Sequence, residues 1–215
     1  MKPFPIILSA PSGGGKTTIA KELLRRRADV GYSVSCTTRT ARAGEVDGRD
    51  YYFLSPEEFG ERRQAGDFAE SAEVHGRFYG TLRSEVQRVL DSGRHVLMDI
   101  DVQGAAQFAS AFPDAVLIFL LPPSAVVLRS RLSGRMTEDS EAMRGRLLTS
   151  RSELEAVHGY EYVIVNDELE RALHEVSAVI DAECVRRVRQ PDLDERTAQL
   201  VAELDGLLNE PIMRE

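Results

Sequence analysis

Four stretches of the chain are almost continuously apolar. They cover residues 5–10, 95–101, 115–121 and 161–167. Side chains of a strand point alternately to its two faces, so a run that is apolar at successive positions is typical of a strand buried on both sides. Each stretch therefore predicts a buried strand.

Amphipathic helical patterns lie between these apolar runs. They cover residues 17–27, 84–92, 124–134 and 141–158. Buried strands that alternate with amphipathic helices are typical of a mostly parallel sheet with helices on both faces. The pattern predicts an α/β fold with three layers and a parallel central sheet.

Three segments depart from this rhythm. Residues 37–81 are rich in Arg, Gly, Glu and Tyr with short half-polar strands, and predict a small mixed α/β lobe inserted in a core of residues 1–36 and 82–190. Residues 133–150 begin with a polar, turn-rich stretch and predict a helical lid. Residues 191–215 predict a helical tail, which either packs on the core or binds a partner or a second copy. The leucines of this tail are Leu193, Leu200, Leu204, Leu207 and Leu208.

Composition narrows the class of protein. The chain has 215 residues and a formal net charge of −8, which argues against a broad surface for nucleic acid or anionic lipid. Cys36 and Cys184 form no CxxC pair, which argues against a thiolate zinc site and fits a reducing compartment. The apolar run near the start is short and holds Pro5, and residues 115–123 are too few to span a bilayer, so we expect a cytoplasmic protein.

A glycine-rich loop follows the first apolar run, in the stretch LSAPSGGGKTTIAKELL (residues 8–24). Glycines let backbone N–H groups converge on phosphate oxygens, and the following helix contributes the positive end of its dipole. Lys16 suits the β- and γ-phosphates and Thr17 suits Mg²⁺. The general pattern is G-x-x-x-x-G-K-[ST], with Ala10 here in place of the first glycine. A structural turn and a dinucleotide-binding loop are the alternatives, although Thr18 stands where the latter wants Gly or Ala.

The second apolar run ends in Asp99. A carboxylate at that strand end lies beside the glycine loop and can hold Mg²⁺ through water, together with Thr17. In the lobe, Arg39, Arg42 and Tyr51 could grip a phosphate dianion through charge-assisted hydrogen bonds. The sequence thus predicts a nucleoside triphosphate site with a second phosphate site opposite.

Two stretches resemble the guanylate kinase family. SAPSGGGKTT is similar to that family's phosphate loop, in which Ala or Gly is common at the position of Ala10, and TTRTARAGEVDGRDYYFL is similar to its monophosphate-binding segment. The resemblance runs from Phe4 to Gln190. It implies a P-loop NTPase fold with a GMP-binding lobe and lid. It also implies the reaction ATP + GMP → ADP + GDP with Mg²⁺, with dGMP as a further acceptor.

The resemblance also implies roles for individual residues. In the GMP site, Glu70 would accept hydrogen bonds from guanine N1–H and the N2 amine, whereas adenine offers neither. The whole predicted GMP site is Ser35, Arg39, Arg42, Glu45, Tyr51, Glu70, Tyr79, Gly80, Thr81, Asp99 and Asp101. The predicted ATP site is Ala10, Pro11, Ser12, Gly13, Gly14, Gly15, Lys16, Thr17, Thr18, Arg135 and Asn166. The predicted catalytic residues are Lys16, Arg135 and Arg146.

Two other functions fit parts of this pattern. One is a guanylate-kinase-like module that binds phosphopeptides without catalysis, although such modules tend to lack the intact loop and lysine. The other is a kinase of the same fold for another small phosphate, such as a ribose bisphosphate, which would not need Glu70. Met136 stands where the family usually has Gly in the lid, so the resemblance does not predict the backbone conformation at this position. We expect ATP and GMP as partners and neither nucleic acid nor membrane, and a homo-oligomer stays open.

Overall fold

The computed structural model describes residues 2–74, 76–133 and 140–209. Its strands are β1 (Pro5–Ser9), β2 (Val30–Tyr32), β3 (Cys36–Thr37), β4 (Tyr52–Phe53), β5 (Phe68–Val74), β6 (Arg77–Leu82), β7 (His95–Asp99), β8 (Val116–Leu121) and β9 (Tyr162–Val165). Its α-helices are α1 (Lys16–Arg26), α2 (Pro56–Gln64), α3 (Arg83–Asp91), α4 (Val102–Ala111), α5 (Ala125–Ser133), α6 (Ser140–Glu155), α7 (Leu169–Cys184) and α8 (Leu193–Asn209).

The central sheet is parallel, in the order β2-β7-β1-β8-β9. The predicted strands are all present as β1, β7, β8 and β9, and the predicted α/β fold is confirmed. Burial on both faces is wrong for β9, in which Val163 and Val165 are 47% and 38% exposed. This strand lies at one edge of the sheet, where only one neighbour covers it. The short strand β2, which the hydrophobic pattern did not predict, forms the other edge.

Apolar side chains on both faces of this sheet build the core. On one face, Ile7, Val96 and Met98 pack with Val86 of α3 and Phe108 of α4. The alternate strand residues point to the opposite face, where α1 contacts β1 and β7. The carboxyl ends of β1, β2 and β7 therefore meet at one edge of the sheet, above which α1 begins.

A smaller mixed sheet has the order β4-β3-β6-β5. Strand β3 pairs in parallel with β4, whereas its pairing with β6 and that of β6 with β5 are antiparallel. Helix α2 closes this sheet by stacking Phe59 on Phe68, with ring centroids 4.4 Å apart. Ser55 caps the helix by accepting a hydrogen bond from the Glu58 N–H, and Pro56 occupies its first turn. Four of the predicted GMP-site residues lie on this sheet, namely Glu70 on β5 and Tyr79, Gly80 and Thr81 on β6.

The chain divides into two compact units, residues 3–179 and residues 1–2 with 180–215. The first contains both sheets. In the described part of the second, the Arg189 guanidinium donates to the buried Glu183 carboxylate over 2.9 Å, and the N–H of Lys2 donates to the Arg189 carbonyl. Every residue of α8 is exposed. No helix in the described ranges is long and apolar enough to cross a membrane.

Candidate active site

The glycine loop between β1 and α1 uses left-handed backbone at two positions. Gly13 has a φ of 79° and Gly15 a φ of 90°, values that side chains other than glycine rarely adopt. Gly15 is the N-cap of α1, so the unpaired N–H groups of the first helical turn open from the loop. This geometry presents several backbone donors together, as an anionic phosphate requires.

Asn166 contacts the loop through its side chain. The buried side-chain amide donates to the Gly14 carbonyl over 2.7 Å, and the backbone carbonyl of Asn166 accepts a hydrogen bond from the Arg131 guanidinium over 2.9 Å. A Cβ at Gly15 would lie 2.4 Å from the Asn166 amide nitrogen, so the loop can approach this side chain only as glycine. A cavity of about 400 Å³ opens here, lined by Gly13, Gly15, Thr18, Arg131, Asn166, Asp167 and Leu169.

Carboxylates surround Lys16. Burial lowers the pKa of this ammonium group, and the negative charges of Asp99, Asp101, Glu153 and Glu70 act in the opposite direction. These carboxylates offset part of the cost of desolvating the Lys16 ammonium group at the start of α1. The anionic oxygens of a bound phosphate would act in the same direction and favour the charged form of Lys16.

Asp99, at the end of β7, joins two neighbouring elements. One carboxylate oxygen accepts a hydrogen bond from Thr17 Oγ1 over 3.0 Å, and the other accepts one from Tyr32 Oη over 2.7 Å. Burial, together with the charge of Asp99, raises the pKa of the Tyr32 hydroxyl, which keeps it a donor. The arrangement fixes the orientation of the carboxylate toward Thr17.

Helix α6 reaches the loop through Glu153. Its carboxylate accepts a hydrogen bond from the Ser12 N–H over 2.8 Å, and the Ser150 hydroxyl donates to the Ser12 carbonyl over 3.4 Å. Burial raises the pKa of Glu153, against the effect of the Ser12 hydrogen bond and of Lys16. Helix α6 and the glycine loop are thus in direct contact.

A larger cavity of about 640 Å³ lies between the loop and the small sheet. Its lining includes the predicted residues Lys16, Thr17, Ser35, Glu45, Tyr51, Glu70, Tyr79, Gly80, Asp99 and Asp101. Other lining residues are Ala20, Lys21, Leu24, Tyr32, Arg49, Asp50, Ala72, Val74 and Ile100. Its size matches a cleft for a small organic ligand.

Glu70 lines this cavity and is 7% exposed. One carboxylate oxygen accepts a hydrogen bond from the Thr81 hydroxyl over 2.6 Å. Burial raises the pKa of Glu70 to about 7, although the Thr81 hydrogen bond acts against the shift. A buried carboxylate with one oxygen left for a ligand is suited to reading a pair of adjacent N–H donors.

Arg39 and Tyr51 lie close together beside the small sheet. The Arg39 guanidinium makes a bidentate contact with Glu45, both distances being 2.9 Å, and lies 5.4 Å from the centre of the Tyr51 ring. Glu45 also accepts the Arg42 N–H over 2.7 Å. The Tyr51 and Tyr79 rings meet edge to face at 6.2 Å. Glu45 therefore orients Arg39 directly and Arg42 through its backbone.

Comparison with known proteins agrees with this geometry. The sequence model of the family described as guanylate kinase matches residues 2–183. A guanylate kinase of Maricaulis maris is 46% identical over 191 residues, covering 88% of each chain. One of Symbiobacterium thermophilum is 47% identical over 184 residues, covering 86% of this chain and 87% of that protein. The crystal structure of guanylate kinase from Anaplasma phagocytophilum, 36% identical, superposes with a TM-score of 0.72 and covers 90% of this chain and 92% of that one.

The chain belongs to the guanylate kinase family. The suggested resemblance is confirmed, and the alternatives of a purely structural turn and of a dinucleotide-binding loop are set aside. The match includes the loop, the small sheet and α6 in one continuous range.

Within this guanylate kinase fold, some predicted residues lie outside the lining of the two described cavities. These include Arg39, Arg42 and Thr81, and also Arg146, which lies half-buried on α6. Ala10, Pro11, Ser12 and Gly14 belong to the loop but do not line either cavity. Arg135 and Met136 lie outside the described residues.

In this guanylate kinase fold, three residues that contact the site were not predicted from the sequence. Tyr32 donates to Asp99, Glu153 accepts from the Ser12 N–H, and Gly104 lies against the Glu70 carboxylate. Tyr32 directly follows an apolar pair at the end of a short strand, and that position would have placed it beside Asp99 had β2 been recognised. Glu153 and Gly104 lie on helices whose approach to the site depends on packing, so no local signal distinguishes them.

Proposed function

We propose that this chain transfers the γ-phosphoryl group of ATP to GMP, giving ADP and GDP. The observation that carries the proposal is a single cavity lined by both Lys16 and the buried carboxylate of Glu70. In this proposal Lys16 binds phosphate oxygens and Glu70 accepts hydrogen bonds from the N–H groups of the base, so that one cavity receives a purine monophosphate beside ATP.

The proposed transfer depends on position and charge. A GMP phosphate oxygen forms a bond to the γ-phosphorus while the bond from that phosphorus to the β–γ bridging oxygen breaks, and the electron pair leaves with ADP. The attacking oxygen is already an anion, so no general base is required. Lys16 and the N–H groups at the start of α1 stabilise the phosphate charge, while Arg39, oriented by Glu45, supports the GMP phosphate. We expect Arg146 and Arg135 to spread the charge on the moving group.

Guanine recognition follows from Glu70 in this proposal. Guanine presents N1–H and an N2 amine side by side, and an ionised carboxylate accepts both. Adenine has an acceptor at N1 and no N2 amine, so it would leave the Glu70 oxygens unpaired. Losing such a buried contact costs on the order of 2–4 kcal/mol. The contacts proposed here are to the guanine edge and to the phosphate, not to the 2′-hydroxyl, so we also propose dGMP as an acceptor.

Mg²⁺ is the proposed cofactor. The Thr17 hydroxyl and an Asp99 carboxylate oxygen lie 3.0 Å apart beside the loop, and both are the oxygen ligands that Mg²⁺ prefers. Among the described residues no group of three or more His, Cys, Asp or Glu could hold a metal, which fits an ion held mainly by phosphate and water. When bound, the ion neutralises charge on the β- and γ-phosphates.

We also propose a cytoplasmic location, where ATP and GMP occur.

An ADP-release assay with a panel of monophosphates tests this function. In the presence of ATP and Mg²⁺, we expect turnover with GMP and dGMP at least about a hundredfold above that with AMP or UMP in kcat/KM. A chelator should abolish it. Equal turnover of AMP or UMP would contradict the GMP assignment, and absence of turnover with preserved phosphopeptide binding would favour the non-catalytic module.

A further inference from the structure

Gly104 lies directly against the carboxylate of Glu70. It is buried in the first turn of α4, and its N–H donates to Asp101 Oδ1 over 2.8 Å. An ideal Cβ built on Gly104 would lie 2.9 Å from Glu70 Oε2, 3.4 Å from Glu70 Cδ and 3.4 Å from Asp101 Oδ1. The first of these distances is closer than carbon atoms of side chains normally approach an oxygen.

The backbone of Gly104 gives no reason for glycine. This residue lies in an ordinary helical turn and is not among the glycines with positive φ. Alanine has a higher helix propensity than glycine, by roughly 1 kcal/mol at an interior helical position. Space is therefore the requirement at Gly104, because the three nearest atoms to the added Cβ belong to the carboxyl groups of Glu70 and Asp101.

A side chain at position 104 would move Glu70 rather than disrupt the fold. The Glu70 carboxylate is the free end of a flexible side chain, held on its other oxygen by the Thr81 hydroxyl over 2.6 Å. A shift of a few tenths of an ångström relieves the clash. It also displaces the oxygen that faces the cavity and strains the hydrogen bond to Thr81.

We propose that Gly104 is a positioning residue for purine selectivity. By presenting no side chain, it sets how deeply the Glu70 carboxylate sits and so aligns it with N1–H and the N2 amine of one purine edge. The inference rests on the proposed function and concerns the base-reading end of the same site. In this proposal, Gly104 contributes to the preference of the site for a 2-amino-6-oxopurine over a 6-oxopurine without the amine.

The test compares Gly104→Ala with Gly60→Ala. Gly60 is also helical, in α2, and a Cβ there meets no atom within 4 Å, so it controls for the general effect of alanine in a helix. The measured quantity is the ratio of kcat/KM for GMP to that for IMP, which keeps N1–H and lacks the N2 amine. We expect Gly104→Ala to lower this ratio about tenfold and Gly60→Ala to leave it unchanged within about twofold. The KM for ATP should be unchanged in both.

A double variant separates positioning from a general loss of activity. Glu70→Gln already removes the reading carboxylate, so adding Gly104→Ala should lower the GMP-to-IMP ratio no further. Independent, multiplying losses would contradict action through Glu70. An unchanged ratio in Gly104→Ala, with active wild type, would overturn this inference alone, whereas a wild type without GMP turnover would overturn the proposed function. Loss of folding in Gly104→Ala would assign the glycine to stability and also contradict the inference.

Discussion

At the scale of single residues, the site contains a carboxyl group whose pKa lies near neutral pH. Glu70 is buried, which raises its pKa to about 7, yet the proposed reading of guanine requires the ionised form. Desolvation and binding therefore act in opposite directions on one proton. A purine that donates two hydrogen bonds favours the ionised state, so binding should be linked to proton release.

This linkage predicts a pH-dependent affinity for GMP. As pH rises through about 7, the ligand-free Glu70 loses its proton, and the KM for GMP should fall and then level off. The phosphate of GMP titrates in a nearby range, so the control is Glu70→Gln, which keeps the phosphate titration but lacks the carboxyl proton. We expect the ratio of the wild-type KM to the variant KM to fall across this range. A ratio independent of pH would contradict the role of Glu70.

The same raised pKa predicts the sign of a stability effect. The native state binds this proton more tightly than the unfolded chain, so the contribution of Glu70 to stability is fully present below pH 4.5 and is lost as pH rises through about 7. Thermal unfolding of wild type and Glu70→Gln over that range measures the difference. In the Glu70→Gln variant, the decrease in stability with rising pH that comes from Glu70 should be absent.

At the scale of elements, the ends of neighbouring strands build the part of the site beside the glycine loop. Tyr32 ends β2, Asp99 ends β7, and Thr17 lies in the first turn of α1, and two hydrogen bonds join them. Sequence patterns predict β1, β7 and α1 well, because a long apolar run and a glycine loop are strong local signals. The Tyr32 contact depends on β2 pairing beside β7, which a three-residue strand does not indicate by itself.

The resemblance to the family motifs predicted Glu70 and Tyr51 as site residues, and both line the larger cavity. The contacts of Gly104 and Glu153 instead result from the packing of helices α4 and α6. Sequence periodicity indicates which face of a helix is buried but not which atom of a distant strand that face meets. Strand order has the same limit: β9 has the apolar run of a central strand but lies at the edge of the sheet. Elements and loop chemistry were therefore predictable, and distances between elements were not.

Tyr32→Phe tests the strand-end contact. Removing the hydroxyl leaves one Asp99 oxygen without its 2.7 Å donor, so the carboxylate is free to turn away from Thr17. A hydrogen bond to a charged group contributes about 1.5 kcal/mol, which corresponds to roughly a tenfold rise in the half-saturating Mg²⁺ concentration at fixed ATP. Tyr52→Phe is the matched control, because that hydroxyl contacts Glu85 over 3.4 Å rather than Asp99. Equal effects of the two changes would contradict the assignment.

At the scale of the whole molecule, the cavity-lining residues and the tail helix α8 belong to separate compact units of the chain. The cavity residues lie within residues 3–179, and α8 belongs to the other compact unit. Leu200, Leu204 and Leu208 of α8 are 58%, 57% and 80% exposed. Apolar side chains that stay exposed contribute little to the free energy of folding, since that contribution scales with the area removed from water.

Removal of residues 191–215 should therefore leave both folding and catalysis intact. We expect kcat/KM for GMP to change by less than about twofold and the unfolding midpoint to shift by less than about 2 °C, because α8 buries no residue. Light scattering on both chains provides the physical control, with a monomer expected at 23.9 kDa for the full chain. If truncation instead lowers the unfolding midpoint together with the molecular mass of an assembled full chain, the leucines of α8 lie in a subunit interface. The assembly, rather than the single chain, would then set the stability.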